Sequence, residues 1–371
     1  MRVFWLGLAL LFSATVWAAP PSISARAWIV IDQASGHVLA DSQADLPLPP
    51  ASLTQMMTAY VLLDDLRKNK LSLGELITVP PAATQVDGAR LFLTAGEKVS
   101  VDTLLQGMLV ESAGDAVITL VTAAAGNETA FVARMNREAR RLGMTKTRFL
   151  NATGLSEPGH ESSARDLALL GRALARDFPD RMGFFLQKTL QYKGATYYNG
   201  NRLLWRDNTV IGLKAGRTPQ AGYCTAALAQ RGDQRRLAVV LNARTDVLRA
   251  QDALKLLNFG FENFDSVLLY RARQAVKSVR IYRGDSPSIS MGFEQDFHML
   301  VPRGSATRVK AEIVTRQPVV APIRTGQNLG VLRLTLDGQP FGDYPMVALH
   351  GVGVAGIFGR VWDSLQLLFA R

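Results

Sequence analysis

Two serines and a lysine, far apart in the chain, are the residues that could do chemistry together. Ser52 stands where a helix is expected to begin, just after Pro49-Pro50. A hydroxyl there lies close to backbone N–H groups and to the positive end of the helix, which suits a developing oxyanion. Taken alone it reads as an ordinary N-cap serine. Ser112 follows a hydrophobic helical run in Glu111-Ser112-Ala113-Gly114-Asp115, and Lys214 ends a strand in Gly212-Leu213-Lys214-Ala215-Gly216. A serine hydroxyl is a weak nucleophile until a neighbouring base takes its proton, and a neutral lysine can be that base. The chemistry open to these residue types is acyl transfer through an ester on serine. The four histidines (His37, His160, His298, His350) are scattered without ligand spacing, so neither a metal nor another cofactor is expected. The one cysteine, Cys224, rules out an internal disulfide and lies in an apolar run, where a buried structural thiol is expected.

The elements that must position these residues can be read from periodicity. Ala27 to Ile31 is a short run of β-formers, Asp32 to Gly36 is turn chemistry, and His37 to Ala40 returns as the second strand of a hairpin. After Pro49-Pro50, the residues Leu53, Met56, Met57, Tyr60 and Val61 recur at helical spacing, so a helix begins near Ser52. Leu104 to Ala125 reads as one apolar helical stretch. Phe131 to Leu142 gives another, closed by Gly143, and Ala164 to Ala175 a third. Strands follow at Val210 to Lys214, Tyr223 to Ala229 and Leu237 to Leu241. This order predicts an α+β domain with helices gathered on an antiparallel sheet. From about Asp265, period-two runs such as Val309 to Ile313 and Leu332 to Leu336 alternate with Pro and Gly breakers, which predicts a small all-β domain.

In this order and separation, the three stations resemble those of the penicillin-binding serine transferases. More narrowly, they resemble the low-molecular-mass D-alanyl-D-alanine carboxypeptidases. That family carries Ser-x-x-Lys, then Ser-x-Asn, then Lys-Thr-Gly on a strand edging the active site. Pro50-Ala51-Ser52-Leu53-Thr54 with Met56-Met57 looks like the nucleophile helix, and Ser162 to Asp166 like a later family segment. The resemblance covers nearly the whole chain. It implies a penicillin-binding/β-lactamase-like transpeptidase domain over 19–265, a small β-rich domain over 266–352 and an amphipathic helix over 353–371. It also implies a serine-type D-Ala-D-Ala carboxypeptidase that acts on peptidoglycan stem peptides through an acyl-enzyme at Ser52, and a capacity to bind β-lactams.

Each station departs from the family pattern at one position. Gln55 stands for the lysine of the first motif, Gly114 for the asparagine of the second and Ala215 for the threonine of the third. Positions 52 and 55 share a helix face, so a lysine at 55 could take the proton of Ser52. A glutamine reaches as far but has no basic site at neutral pH. General-base help is worth about 10²–10⁴ in rate. Gly114 removes an amide that would meet the substrate peptide, and Ala215 removes a hydroxyl that would help hold its terminal carboxylate. Ser52, Ser112 and Lys214 remain, and Gly216 lets a substrate backbone approach the strand. Arg217 and Arg244 are placed to meet a carboxylate. A reduced relay from Lys214 through Ser112 to Ser52 is conceivable. Without a second ammonium nearby to lower its pKa, Lys214 is expected to be a poor base. Two functions are therefore open: a weakened carboxypeptidase, and an inactive pseudoenzyme that binds stem peptides or cell-wall partners.

Composition limits the partners. The 371 residues are 48% hydrophobic and 20% charged, which excludes a disordered chain. The formal net charge is +11, but the basic residues are spread out and not interleaved with aromatics, so no nucleic-acid partner is expected. Arg2, the apolar stretch from Val3 to Val16 and Ala18 read as a secretory signal over 1–18. The run is short for a membrane span. In Gly353 to Arg371, the residues Ile357, Phe358, Val361, Trp362, Leu365, Leu368 and Phe369 share one face, opposite Arg360, Asp363 and Ser364. That face suits a helix lying in a membrane interface; the alternative is a helix packed on the β-domain. The expected location is the periplasm, with peripheral attachment to the inner membrane.

Overall fold

A computed structural model describes residues 19–356. The first domain is built on a five-stranded antiparallel sheet. Its strands are β1 (Ala27–Asp32), β2 (Val38–Ser42), β3 (Val210–Thr218), β4 (Gly222–Arg231) and β5 (Gln234–Ala243), in the order β2-β1-β5-β4-β3. Alternate residues of the central strands face two separate cores. Ala27, Ile29 and Ile31 join Cys224, Ala226, Leu228, Leu237, Val239 and Leu241 on one face. Trp28 and Val30 join Ala227, Ala229, Ala238 and Val240 on the other. Because both faces are covered, these strands read as unbroken apolar runs rather than as alternating ones.

The first face is covered by helices α1 (Thr54–Arg67), α2 (Val101–Val110), α3 (Gly114–Ala125), α4 (Glu128–Arg141) and α5 (Ala164–Asp177). Three of them start on a side-chain cap: Ser100 on Thr103 N–H, Asn127 on Ala130 N–H and Ser163 on Asp166 N–H. The single helix expected over Leu104 to Ala125 is in fact two. The chain breaks at Glu111–Ala113, where Ser112 takes a left-handed φ of 65° that no helix can continue through.

The second face is covered by α6 (Asp246–Asn263), which the periodicity did not reveal. Its inner face carries Arg249 and Asp252 among the apolar residues, and the Asp252 carboxylate is spent on the N–H groups of Ser24 and Ala25. Buried charges on the core-facing side obscure the 3.6-residue pattern.

From Phe264 on, the described chain is β-structure apart from a short 3-10 turn at Ala306–Arg308 and the connecting loops. A six-stranded sheet runs in the order Val309–Thr315, Asn328–Leu336, Gln339–Ala348, Ser288–Gly292, Lys277–Tyr282, Val319–Val320, with Phe264–Tyr270 paired to Phe297–Pro302 beside it. The boundary expected at residue 265 falls inside the first of these strands. A fully buried ion pair ties the two domains together. Arg236 of β5 donates to Asp32 of β1 at 2.5 Å, and also to the carbonyls of Gly260 and Phe264. The other oxygen of Asp32 accepts from Ser35 and from the Ser266 hydroxyl. Of the tail expected to be helical from 353, the first residues are extended and Val354 bridges to Gly284. Its remainder, like the signal expected over 1–18, lies outside the described residues.

Candidate active site

Ser52 does not cap a helix. It sits in the middle of a short 3-10 turn, Ala51–Leu53, that leads into α1, and Leu53 occupies the cap position. Two glycines hold that turn in place. A Cβ on Gly216 of β3 would come within 2.6 Å of the Ser52 nitrogen, so only glycine lets the strand pass this close. Gly154, at φ +90°, leaves a Cβ only 2.1 Å from the Ala51 carbonyl oxygen. Beside them opens a groove of about 370 Å³ lined by Ser52, Ser112, Gly114, Ala215, Gly216 and Arg217, among others. Strand β3 is the terminal strand of its sheet, so its outer edge borders this groove.

Ser112 and Lys214 meet here. The Lys214 Nζ donates to Ser112 Oγ at 2.6 Å and to the Leu109 carbonyl at 3.1 Å. The ammonium is buried, and burial lowers its pKa from 10.5 to about 7, with Arg249 adding to the shift and Glu111 opposing it. The expectation that Lys214 is a poor base is thereby corrected. It needs no second lysine, because desolvation alone disfavours the cation. The Glu111 carboxyl, also at the groove, is raised by burial against the pull of Lys214.

Gln55 is buried on α1 and does not turn to Ser52. Its Nε2 donates to the Ser112 carbonyl at 3.2 Å and to the Thr153 carbonyl at 3.0 Å. Its Oε1 has no partner among the described residues. The side chain therefore ties the wall at Thr153 to the break at Ser112, and leaves a buried acceptor unpaired.

Gly114 opens α3, and the place an asparagine would fill is taken. A Cβ there would meet Val86 Cγ1 at 2.6 Å, and Val86 itself packs against the core. Restoring the side chain without making room should therefore achieve nothing. In a Gln55→Lys background, Gly114→Asn alone is expected to leave penicillin acylation unimproved. Adding Val86→Ala should raise it roughly two- to tenfold, as one recovered hydrogen bond implies. An equal gain without the Val86 change would show that the loop yields freely.

Ala215 is buried on β3 and faces the groove without a hydroxyl. Arg217 is exposed at the rim, its guanidinium 5.2 Å from the ring centre of Tyr223. Arg244 is exposed and does not line the groove, contrary to expectation. Arg249, one turn inside α6, lines it instead, together with Arg202 and Arg217. It is 5% exposed and donates to the carbonyls of Gly200, Gly216 and Cys224 and to the Asp246 carboxylate. Burial lowers its pKa while Asp246 works the other way. Arg244 falls short because it precedes the helix. Thr245, whose hydroxyl accepts from Leu248 N–H, and Asp246 in the first turn together mark a helix start. That signal would have pointed to Arg249. Cys224 is buried, its thiol pushed up to about 11 by desolvation. Among the described residues, no group of three or more His, Cys, Asp or Glu side chains is placed to hold a metal ion.

A serine on a turn pinned by two glycines, a second serine bonded to a buried lysine, and an edge strand beside both meet at one groove. Residues 14–245 match the model of the D-alanyl-D-alanine carboxypeptidase family and residues 264–353 that of the penicillin-binding protein 5 C-terminal domain. The chain belongs to the D-alanyl-D-alanine carboxypeptidase family. It is 38% identical to D-alanyl-D-alanine carboxypeptidase DacC of Escherichia coli K12, with 97% of this chain and 93% of the relative covered. Penicillin-binding protein 5 of Haemophilus influenzae superposes with a TM-score of 0.86 at 32% identity, over 91% of this chain and 99% of that one. Penicillin-binding protein D2 of Listeria monocytogenes, solved in its ampicillin-bound form, gives a TM-score of 0.60 at 34% identity, over 66% of this chain and all of that one.

Proposed function

We propose that this protein is a slow serine D-Ala-D-Ala carboxypeptidase that trims peptidoglycan stem peptides. The observation carrying this reading is the hydrogen bond from Lys214 to Ser112 Oγ, with the amine pushed to about 7. Neutral Lys214 takes the Ser112 proton while Ser112 takes that of Ser52. Ser52 Oγ then attacks the carbonyl carbon of the penultimate D-alanine. The C–N bond breaks, the leaving D-alanine receives the proton back through Ser112, and water later releases the shortened peptide from Ser52. Arg217 and Arg249 supply positive charge for the terminal carboxylate. Because no base sits at position 55, acylation is slow. β-lactams acylate the same serine, as the ampicillin-bound Listeria relative suggests.

Covalent labelling by a fluorescent penicillin tests this reading. The protein is expected to label slowly and Ser52→Ala not at all. The base must be neutral, so the labelling rate should fall about tenfold per pH unit below 7 and level off above it. A rate independent of pH between 5.5 and 8 would remove Lys214 from the relay. Gln55, whose amide is tied to the Ser112 and Thr153 carbonyls and offers Ser52 no base, supports a second reading, in which the groove holds stem peptides without turnover. In that case the unmodified protein takes no label, yet Ser52→Ala still binds muropeptides non-covalently.

The same proposal places the protein in the periplasm, exported by its 1–18 segment and held at the inner membrane by the apolar face of its last residues. Removing residues 353–371 is expected to release it into the soluble fraction. Continued sedimentation of the truncated form with membranes would refute the anchor.

A further inference from the structure

His160 is a buried histidine that the acyl-transfer steps do not use. Its Nδ1 accepts from the Leu150 N–H at 3.0 Å, and its Nε2 lies 2.9 Å from the Thr54 hydroxyl oxygen. Desolvation lowers the pKa of the ring to about 4, with Glu157 opposing the shift, so the ring is neutral at pH 7. A neutral imidazole carries one proton. Since Nδ1 is an acceptor, that proton sits on Nε2 and is donated to Thr54 Oγ1. Phe149 packs edge-on against the ring, 5.9 Å between centroids.

What ties this ring to the chemistry is the place of Thr54. It is the first residue of α1, it is fully buried, and its N–H closes the nucleophile turn on the Ala51 and Ser52 carbonyls. The loop that carries His160 grips the chain on both sides of Ser52. Leu48 and Ser162 exchange main-chain hydrogen bonds, Gly154 packs on Ala51, and the Thr153 and Ala152 carbonyls accept from Gln55 and Thr58. Each of those holds ends on main chain. The bond from His160 to Thr54 joins two side chains, so it can be cut while both backbones stay intact. Position is decisive at Ser52, where a misplacement of about 1 Å costs ~10²-fold in rate. We propose that His160 is a positioning residue for the nucleophile: its Nε2–H, through Thr54 Oγ1, holds the Ala51–Leu53 turn where Ser52 can react. This rests on the reading that Ser52 is acylated.

Penicillin labelling of the full-length protein over a range of penicillin concentrations separates the limiting acylation rate from the half-saturating concentration. Thr54→Val keeps the side-chain shape and removes the acceptor. It is expected to lower the limiting rate about ten- to a hundredfold while half-saturation moves less than about twofold. Thr54→Ser should recover most of the rate. His160→Ala should lose as much as Thr54→Val, and the two together little more than either, since both cut one bond. Should His160→Ala fail to fold, the two Thr54 variants carry the test. An unchanged rate in folded Thr54→Val, or a half-saturation that rises as far as the rate falls, would overturn the assignment. If the unmodified protein takes no label, the carboxypeptidase reading falls by itself and hydrogen exchange decides the role of His160. Faster exchange of the amides of residues 51–54 in Thr54→Val upholds the positioning role; unchanged exchange defeats it.

Discussion

Replacing Gln55 with lysine is expected to speed the acylation of Ser52 by penicillin about 10²–10⁴-fold, the ordinary worth of a positioned general base. Position 55 lies one helical turn beyond the nucleophile, and its side-chain nitrogen already rests between two carbonyls, those of Ser112 and Thr153. An ammonium would inherit both acceptors. The orphaned Oε1 would disappear with the amide, which removes a buried unpaired acceptor worth about 1–3 kcal/mol. Two buried lysines facing the same serine pair would each disfavour the other's charge, so one of them stays neutral near pH 7. The measurement is the pseudo-first-order labelling rate of Gln55→Lys against the unmodified protein. A rate that does not rise would locate the decisive defect in Gly114 and Ala215 instead.

Removing the Asp32 carboxylate is expected to cost about 3–5 kcal/mol of stability, because it strands a guanidinium in the interior. Arg236 has no route to water: both partners are 0% exposed in their side chains. Asp32→Ala should therefore lower the urea midpoint sharply. Replacing Asp32 and Arg236 together with apolar residues should recover much of the loss, since the pair's own desolvation cost disappears with it. Breaking the exposed Arg333–Asp343 pair should move the midpoint little, because water screens it. Should Asp32→Ala prove as mild as that surface change, the buried pair is not the clasp between the domains. Because Arg236 also holds the Phe264 carbonyl and Asp32 the Ser266 hydroxyl, the loss should loosen the first strand of the β-domain along with the sheet.

The sequence disclosed whatever periodicity and motif spacing can carry. The hairpin, the central strands, helices α1, α4 and α5 and the switch to β-structure all show themselves as runs of apolar residues at one spacing. Where the structure departs from that reading, side chains are acting against type. Ser112 adopts a conformation that L-residues avoid, which splits a run that hydropathy reads as continuous. Arg249 is a charged residue on a core-facing surface, so α6 and its guanidinium stayed hidden together. The pKa of Lys214 depends on burial, which no spacing reports. The obstruction at Gly114 depends on Val86, a residue 28 positions away that only folding brings near.

The edge position of β3 gives the motif changes a common character. An unpaired strand edge offers main-chain N–H and C=O groups, and an extended peptide can add to it as one more strand. Gln55, Gly114 and Ala215 are all substitutions of side chains, and none of them alters a main-chain donor or acceptor along that edge. Chemistry and recognition are thus written in different parts of the same residues: one in side chains, which mutate independently, the other in a backbone that every residue shares. A chain of this kind can lose turnover and still keep the main-chain edge along which an extended peptide adds.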